Sequence, residues 1–409
     1  MARNGGLVDH GGRPKLLRVL NGKVLLNIIR EQGPLSRPAL SKLSGLSLPT
    51  VNARMRTLLE MGYVNELGQT KSRGGRPAQL LEFNGEFGYV LGIDVGGYQV
   101  SVALADLTGK LVAYERRRLS ARVDGEHVRE AISEALRRVL AQRNLEPGAL
   151  MAAGLSTPGV VNPRTEKVSL VPNIPGWAEL EPAALLEELI GKPVIIENDV
   201  NAAVEGEQWR GVARDTQNVV FVDIGKGIGA GVLIEGKLYR GLGGAAGEIG
   251  LQRDFHDDEP LDELFGPLER KCSGLGMTKR YRELTGATEV VSVQALFDKA
   301  HSGDKLAQRV VEESVSMFAG GLVNMCTVLA PELVVLGGEV ASVGEALVEP
   351  VRRRLERALP FPPRVAVSIL EGRASIMGAV RMALRLALWE GLALDTSATS
   401  QQRDNRSVG

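Results

Sequence analysis

A glycine pattern that occurs twice constrains this chain more than any other feature. Val219 to Gly250 reads as a short apolar strand (Val219–Val222), then Gly225, Gly227 and Gly229 at alternate positions. A resumed strand (Gly231–Ile234), a Glu235-Gly236 turn and a second glycine cluster closing on Glu248 follow. Glycines at that spacing let the backbone turn tightly or let a ligand approach closely. Taken alone, such a stretch is a hairpin with a loose loop roughly as often as it is a site. Leu91 to Leu111 repeats the grammar: apolar strand, Asp94, the pair Gly96-Gly97, a second strand, a turn and Gly-Lys-Leu. An internal repeat predicts two related lobes with their glycine turns aimed at one cleft. A nucleotide or sugar site between lobes needs that arrangement.

The chain has 409 residues, enough for two or three domains and a large core. Its formal net charge is zero but unevenly spread: residues 1–80 hold 13 Lys/Arg against 4 Asp/Glu, and the remainder 36 against 45. A basic amino-terminal part on an acidic body predicts a polyanionic partner, against the alternative of a merely solvated basic face. The sequence shows no signal peptide and no apolar run of membrane-spanning length. Two cysteines, Cys272 and Cys326, cannot build a disulfide framework. A cytoplasmic protein with no membrane contact is expected.

Residues 1–19 read as a flexible basic arm. Leu20, Val24, Leu25, Ile28 and Ile29 recur at helical spacing up to Gly33-Pro34. Ser36 then caps a second helix and Ser47 a third, each with a proline in the first turn and a glycine (Gly45, Gly62) near the end. Helix, glycine turn, helix is the helix-turn-helix arrangement, although a plain three-helix bundle shares the apolar pattern. The outer face of the third helix favours the first reading. Ser47, Thr50, Asn52, Arg54 and Arg56 are donor-rich candidates for base edges and phosphates in a major groove of double-stranded DNA. Two short strands around Gly68–Ala78 make a wing, whose Arg73 and Arg76 suit a narrow minor groove. A flexible linker is the alternative for that piece alone. Residues 20–84 are thus expected to form a winged helix-turn-helix, and dimers or tetramers are expected because such domains commonly read two half-sites.

From Gly88 strands alternate with helices, an α/β pattern. A three-stranded meander begins at Tyr89, and a closing helix is expected at Ala374–Trp389. A polar tail follows from residue 395.

This body, residues 85–394, resembles the ROK family of repressors and sugar kinases, and with the winged helix in front the chain resembles its transcriptional-repressor branch. The ordered motifs carry the resemblance. They are Asp94-Val-Gly96-Gly97, Pro172-Asn173 with Gly176-Trp177, Glu197-Asn198-Asp199-x-Asn201, Gly225-x-Gly227-x-Gly229, Gly244-Ala-Ala-Gly-Glu248-x-Gly250 and Gly337-Gly338. The resemblance implies a two-lobed actin-like fold with a sugar cleft. It places Asp199 where kinases take the proton from the sugar hydroxyl, and Asn173, Asn198, Glu248 and Glu269 where sugar hydroxyls are held. Asn198 and Asp199 also read as a cap for the helix starting at Asn201. Asp94, Gly96, Gly97, Gly225, Gly227, Gly337 and Gly338 fall on nucleotide-type loops.

The departures matter equally. The family's zinc uses one histidine and three cysteines, and those positions hold Leu251, Pro260, Asp262 and Pro267. Structural zinc takes thiolate and imidazole, so no metal is expected. His256, Asp257 and Asp258 read as a solvated acidic loop, and packing around Leu261, Leu264, Phe265 and Leu268 is expected to brace the segment. Tyr98 and Lys226 replace the kinases' phosphate-facing threonines, so no cofactor is expected and ATP binding is doubtful. The expectation is a DNA-binding regulator, a repressor, that senses a sugar or sugar derivative without catalysing phosphoryl transfer. The alternatives are an active sugar kinase with a DNA-binding module, or a regulator with a non-sugar effector.

Overall fold

A computed structural model describes residues 12–69, 79–120, 123–171, 173–253 and 266–388. The wing tip with Arg73 and Arg76, the loop with His256 to Phe265, and the polar tail lie outside these residues.

The amino-terminal domain comprises α1 (Gly12–Gln32), β1 (Leu35–Ser36), α2 (Arg37–Ser44), α3 (Leu48–Glu60), β2 (Val64–Gln69) and β3 (Gln79–Phe83). The helix-turn-helix follows from local chemistry. Ser36 and Ser47 accept the N–H groups of Ala39 and Thr50 as N-caps, and Gly45 takes a left-handed φ of 69° between the helices. Leu40, Val51, Met55 and Leu58 are buried beneath them. The wing is a three-stranded sheet in the order β1-β3-β2, with β1 a strand not anticipated from sequence. The expected arm over 1–19 needs correction. The helix already begins at Gly12, because Lys15, Leu16 and Arg18 are good helix formers and Pro14 is tolerated in a first turn.

The first lobe holds β4 (Tyr89–Val95), β5 (Gln99–Asp106), β6 (Leu111–Arg118), α4 (Gly125–Ala141), β7 (Leu150–Thr157), β8 (Val160–Val161), β9 (Val168–Ser169), α5 (Pro182–Ile190), β10 (Val194–Asn198) and α6 (Asp199–Arg210). The second holds β11 (Val219–Ile224), β12 (Ile228–Ile234), β13 (Lys237–Leu238), α7 (Pro267–Cys272), α8 (Gly274–Thr285), α9 (Val293–His301), α10 (Lys305–Leu329), β14 (Leu333–Gly337), α11 (Gly338–Ala341), α12 (Glu345–Ala358) and β15 (Arg364–Val367). A last helix, α13, covers 374–388 and packs back on the first lobe.

The two sheets are copies of one topology. Their orders are β10-β7-β4-β5-β6 and β13-β12-β11-β14-β15. In each, an antiparallel meander of three strands is followed by two strands added parallel to its first. The internal repeat is therefore structural, and it sets Asp94 and Asp223 near the same end of equivalent strands. At Gly247 (φ 95°) an added Cβ would lie 1.8 Å from the Ala230 carbonyl oxygen, so only glycine lets the Glu248 loop close on β12.

Candidate functional site

Two surfaces carry chemistry. On the first, α3 buries Val51, Met55 and Leu58 and turns Asn52 and Arg56 fully outward, with Thr50 and Arg54 half-buried beside them. Residues 50 and 54, and 52 and 56, are each one turn apart, so the four form two parallel ridges. The Ser47 and Thr50 hydroxyls share a hydrogen bond of 2.9 Å at the helix start. Arg37 on α2 pairs with Glu66 of the wing at 3.1 Å, fixing the wing beside the helices.

The second lies where the two lobes meet, at the place the resemblance assigns to the sugar cleft. Asp94 closes β4 and accepts the Ser156 hydroxyl at 2.8 Å. Asp223 lies near the end of β11, and Asp199 opens α6. Their charges meet. Burial raises Asp199 well above the usual carboxylate range, Asp223 and Asp94 raise it further, and Glu248 adds to this, against the Val200 N–H. Burial and then Asp94 push Asp223 up to about 6. Burial raises Asp94 against hydrogen bonds from Ser156 and Ser375. Burial also raises Glu248, although the residue as a whole keeps solvent exposure. Carboxyls with raised pKa both accept and donate, which suits a polyhydroxyl ligand.

Asn198 serves the helix. Its side-chain oxygen accepts the N–H groups of Val200 and Asn201 at 3.0 Å each, and its Nδ2 donates to the Gly159 carbonyl at 2.9 Å and to Asp199 at 3.1 Å. Capping thus uses its side-chain oxygen, while its amide nitrogen ties α6 to the Gly159 turn. Glu269 braces the second glycine turn: its carboxylate accepts the Ile228 N–H at 3.1 Å and the Gly266 N–H at 3.4 Å. Burial raises its pKa and Glu248 contributes, so it borders the cluster. Asn173 is exposed in a turn anchored by Trp177, which is buried and donates to Thr157 at 2.8 Å. No contact joins Asn173 to the carboxylates among the described residues.

Sequence reasoning missed Asp223, although aligning the two glycine repeats sets it opposite Asp94. It also missed the route of Lys226. The Nζ of Lys226 crosses from the second lobe, donates to the Gly97 carbonyl at 2.9 Å and lies 3.5 Å from the centroid of the Tyr98 ring. Gly225 N–H closes the other turn on the Gly227 carbonyl at 3.0 Å. At the third glycine loop, Gly337 packs against Phe221, and Gly338, at φ 83°, against Ile224.

The sequence profile of the ROK family matches residues 90–386, more than half of the chain. The chain belongs to the ROK family. A profile of winged helix-turn-helix DNA-binding domains matches residues 22–65, so the ROK body carries a DNA-binding domain in front. The chain is 27% identical over 390 residues to a xylose repressor of Caldicellulosiruptor bescii, covering 91% of this chain and 97% of the relative. It matches a ROK family transcriptional regulator, a homologue of the E. coli MLC protein, with TM-score 0.77 and 23% identity over 92% of this chain and 98% of that one. That likeness shows the two-part fold. A ROK hexokinase from Thermus thermophilus matches at 30% identity and TM-score 0.59, over 72% of this chain and 97% of its own. ROK relatives of both kinds, regulator and kinase, thus share this body.

At two of the family's zinc-ligand positions, Leu251 is half exposed and Pro267 is buried at the start of α7, and neither side chain offers a ligand atom. Pro260 and Asp262 lie outside the described residues, as do Leu261, Leu264 and Phe265. Leu268 is buried in the second lobe's core.

Proposed function

We propose that this protein is a sugar-responsive repressor whose kinase-type cleft senses its ligand without transferring phosphate. The observation that carries the reading is the contact of Lys226 with Gly97 and Tyr98. In a working kinase the two glycine turns face a nucleotide's phosphates. Here one turn's ammonium is bonded to the other turn, and an aromatic ring stands beside it. The loss of both threonines and this crossing support a non-catalytic cleft that does not need ATP, and Leu251 and Pro267 at ligand positions support a body without zinc. The carboxyl cluster around Asp199 supports a polyhydroxyl effector, and the xylose repressor and N-acetylglucosamine repressor among its relatives support a sugar or sugar derivative and a repressing response. The protein acts on its operator as a homodimer or homotetramer in the cytoplasm. Among the described residues no helix is long and apolar enough to cross a membrane.

A kinase reading has one observation in its favour: Asp199 keeps the raised pKa of a general base beside the cleft. A non-sugar effector is favoured by Leu251 in place of histidine. Two assays separate the three. A thermal-shift screen of monosaccharides and their phosphates is expected to yield one stabilising sugar, and a coupled assay no sugar-dependent ADP. Sugar-dependent ATP turnover contradicts the non-catalytic reading. Stabilisation by other metabolites alone contradicts the sugar effector.

A further inference from the structure

The helix that closes the fold joins the cleft to the DNA-reading domain. At its start, Ser375 on α13 stands beside Asp94 and favours its charged form. Along its length α13 lies backbone-to-backbone on α6, the helix that Asp199 opens. A Cβ at Gly206 would sit 2.1 Å from the Ala374 carbonyl oxygen, and one at Gly378 1.8 Å from that of Ala202. With no side chains between them to yield, the two helices have little freedom to slide. Further along, Ile376, Val380, Ala383, Leu384 and Leu388 share one core with Leu25, Leu26 and Ile29 of α1.

A charged joint stands at that junction. Glu205 on α6 is only 6% exposed. Arg385 grips its carboxylate with both terminal nitrogens, at 3.2 and 2.7 Å, and Arg381 approaches it at 3.1 Å. Arg381 also donates to the Glu205 carbonyl at 2.8 Å and to Gln208 at 3.0 Å. Glu205 is thus shared by two arginines of one helix, of which Arg385 is half exposed. Arg30 of α1 faces this joint: burial lowers its pKa, Glu31 opposes that, and Arg210 and Arg385 lower it further. Like charges on α1, α6 and α13 therefore oppose one another, with Glu205 holding two of them back.

We propose that Glu205, Arg381 and Arg385 are positioning residues that set the winged helix according to the occupancy of the cleft, with α6 and α13 moving as one body. This rests on the sugar-sensing reading above. A ligand that closes the lobes engages Asp199 at the start of α6, and displacement there moves Glu205 and its arginines against α1. Coupling requires that the ligand favour one of the two arrangements, and the joint is where they would differ.

The test uses the full chain and an operator duplex selected by the wild-type protein from a random library. DNA affinity is measured by anisotropy without sugar and with saturating D-xylose, D-glucose or N-acetylglucosamine. The wild type is expected to lose about tenfold in affinity with one of them, an ordinary coupling factor. Arg385→Met keeps the packing of the stem. It is expected to bind DNA and sugar as the wild type does and to respond less than about twofold. Arg385→Lys, which keeps the charge, is expected to restore much of the response, and Arg385→Gln serves if the methionine variant does not fold. A joint that only stabilises the fold would move melting temperature but not the sugar response. A methionine variant that responds fully overturns the inference and leaves the sugar-sensing reading standing. A wild type that binds the duplex and ignores every sugar overturns that reading, and the inference falls with it.

Discussion

Asp94 and Asp223 hold equivalent places in the two lobes, each near the end of the strand that opens its meander, and the charge of Asp94 helps hold the Asp223 carboxyl at about 6. Two copies of one sheet thus bring two acids to one cleft, where Asp199 makes a third.

The first prediction concerns pH. A carboxyl raised from 3.8 to about 6 keeps its proton in the folded state while the unfolded chain has released it. Its contribution is therefore most favourable below about 4 and is lost as pH rises to about 6. Asp223→Asn removes this loss and is expected to be more stable than the wild type at pH 7.5, by on the order of 2–3 kcal/mol. Melting curves at pH 5 and 7.5 check it, the difference narrowing at the lower pH.

Asn198 and Asp199 are adjacent, and their replacements are expected to act oppositely on stability. Asn198→Ala strands the N–H of Asn201, leaves that of Val200 to Asp199 alone, and costs about 1–2 kcal/mol. Asp199→Asn removes a carboxyl that burial and its neighbours disfavour, so it raises the melting temperature while abolishing sugar binding. Melting and calorimetric titration of both variants read the difference.

Replacing the crossing residues reopens the phosphate side. The double variant Lys226→Thr, Tyr98→Thr is expected to bind a fluorescent adenine nucleotide at least about tenfold more tightly than the wild type. Equal binding by both proteins, seen by fluorescence titration, removes the crossing as the reason for weak nucleotide binding.

On the DNA side, Arg56→Ala is expected to weaken binding to all sequences alike and to lower the salt slope by about 1. Asn52→Ala is expected to cost about 1–3 kcal/mol at one base position and relax the choice of base there. Anisotropy titrations over a salt series, with operator variants, distinguish the two.

Much of the fold was legible because its signals are local. Ser36, Ser47, Gly45 and the alternate buried positions of α3 mark the helix-turn-helix directly, and the closing helix begins at Ala374 where its pattern placed it. The repeated glycine units announced the two matching sheets. The motifs also marked Asp94, Asp199 and Glu248, which the fold brings within electrostatic reach of one another. What escaped depends on tertiary contact. Lys226 reads locally as one residue of a turn, and only the fold sets Gly97 beside it. The bond from the Asn198 amide to the Gly159 carbonyl, far away in sequence, is likewise invisible in the motif. Glu205 and Arg385 are far apart in sequence and look like ordinary helix charges until α6 and α13 are packed together.

The most direct measurement is the affinity of the wild-type protein and of Asp199→Asn for DNA upstream of its own gene, with and without the sugar that most raises its melting temperature. The account predicts that the wild type binds a discrete site and releases it with the sugar, while Asp199→Asn binds the same site and does not respond. Equal release of both proteins, or a wild type indifferent to the sugar, would contradict it.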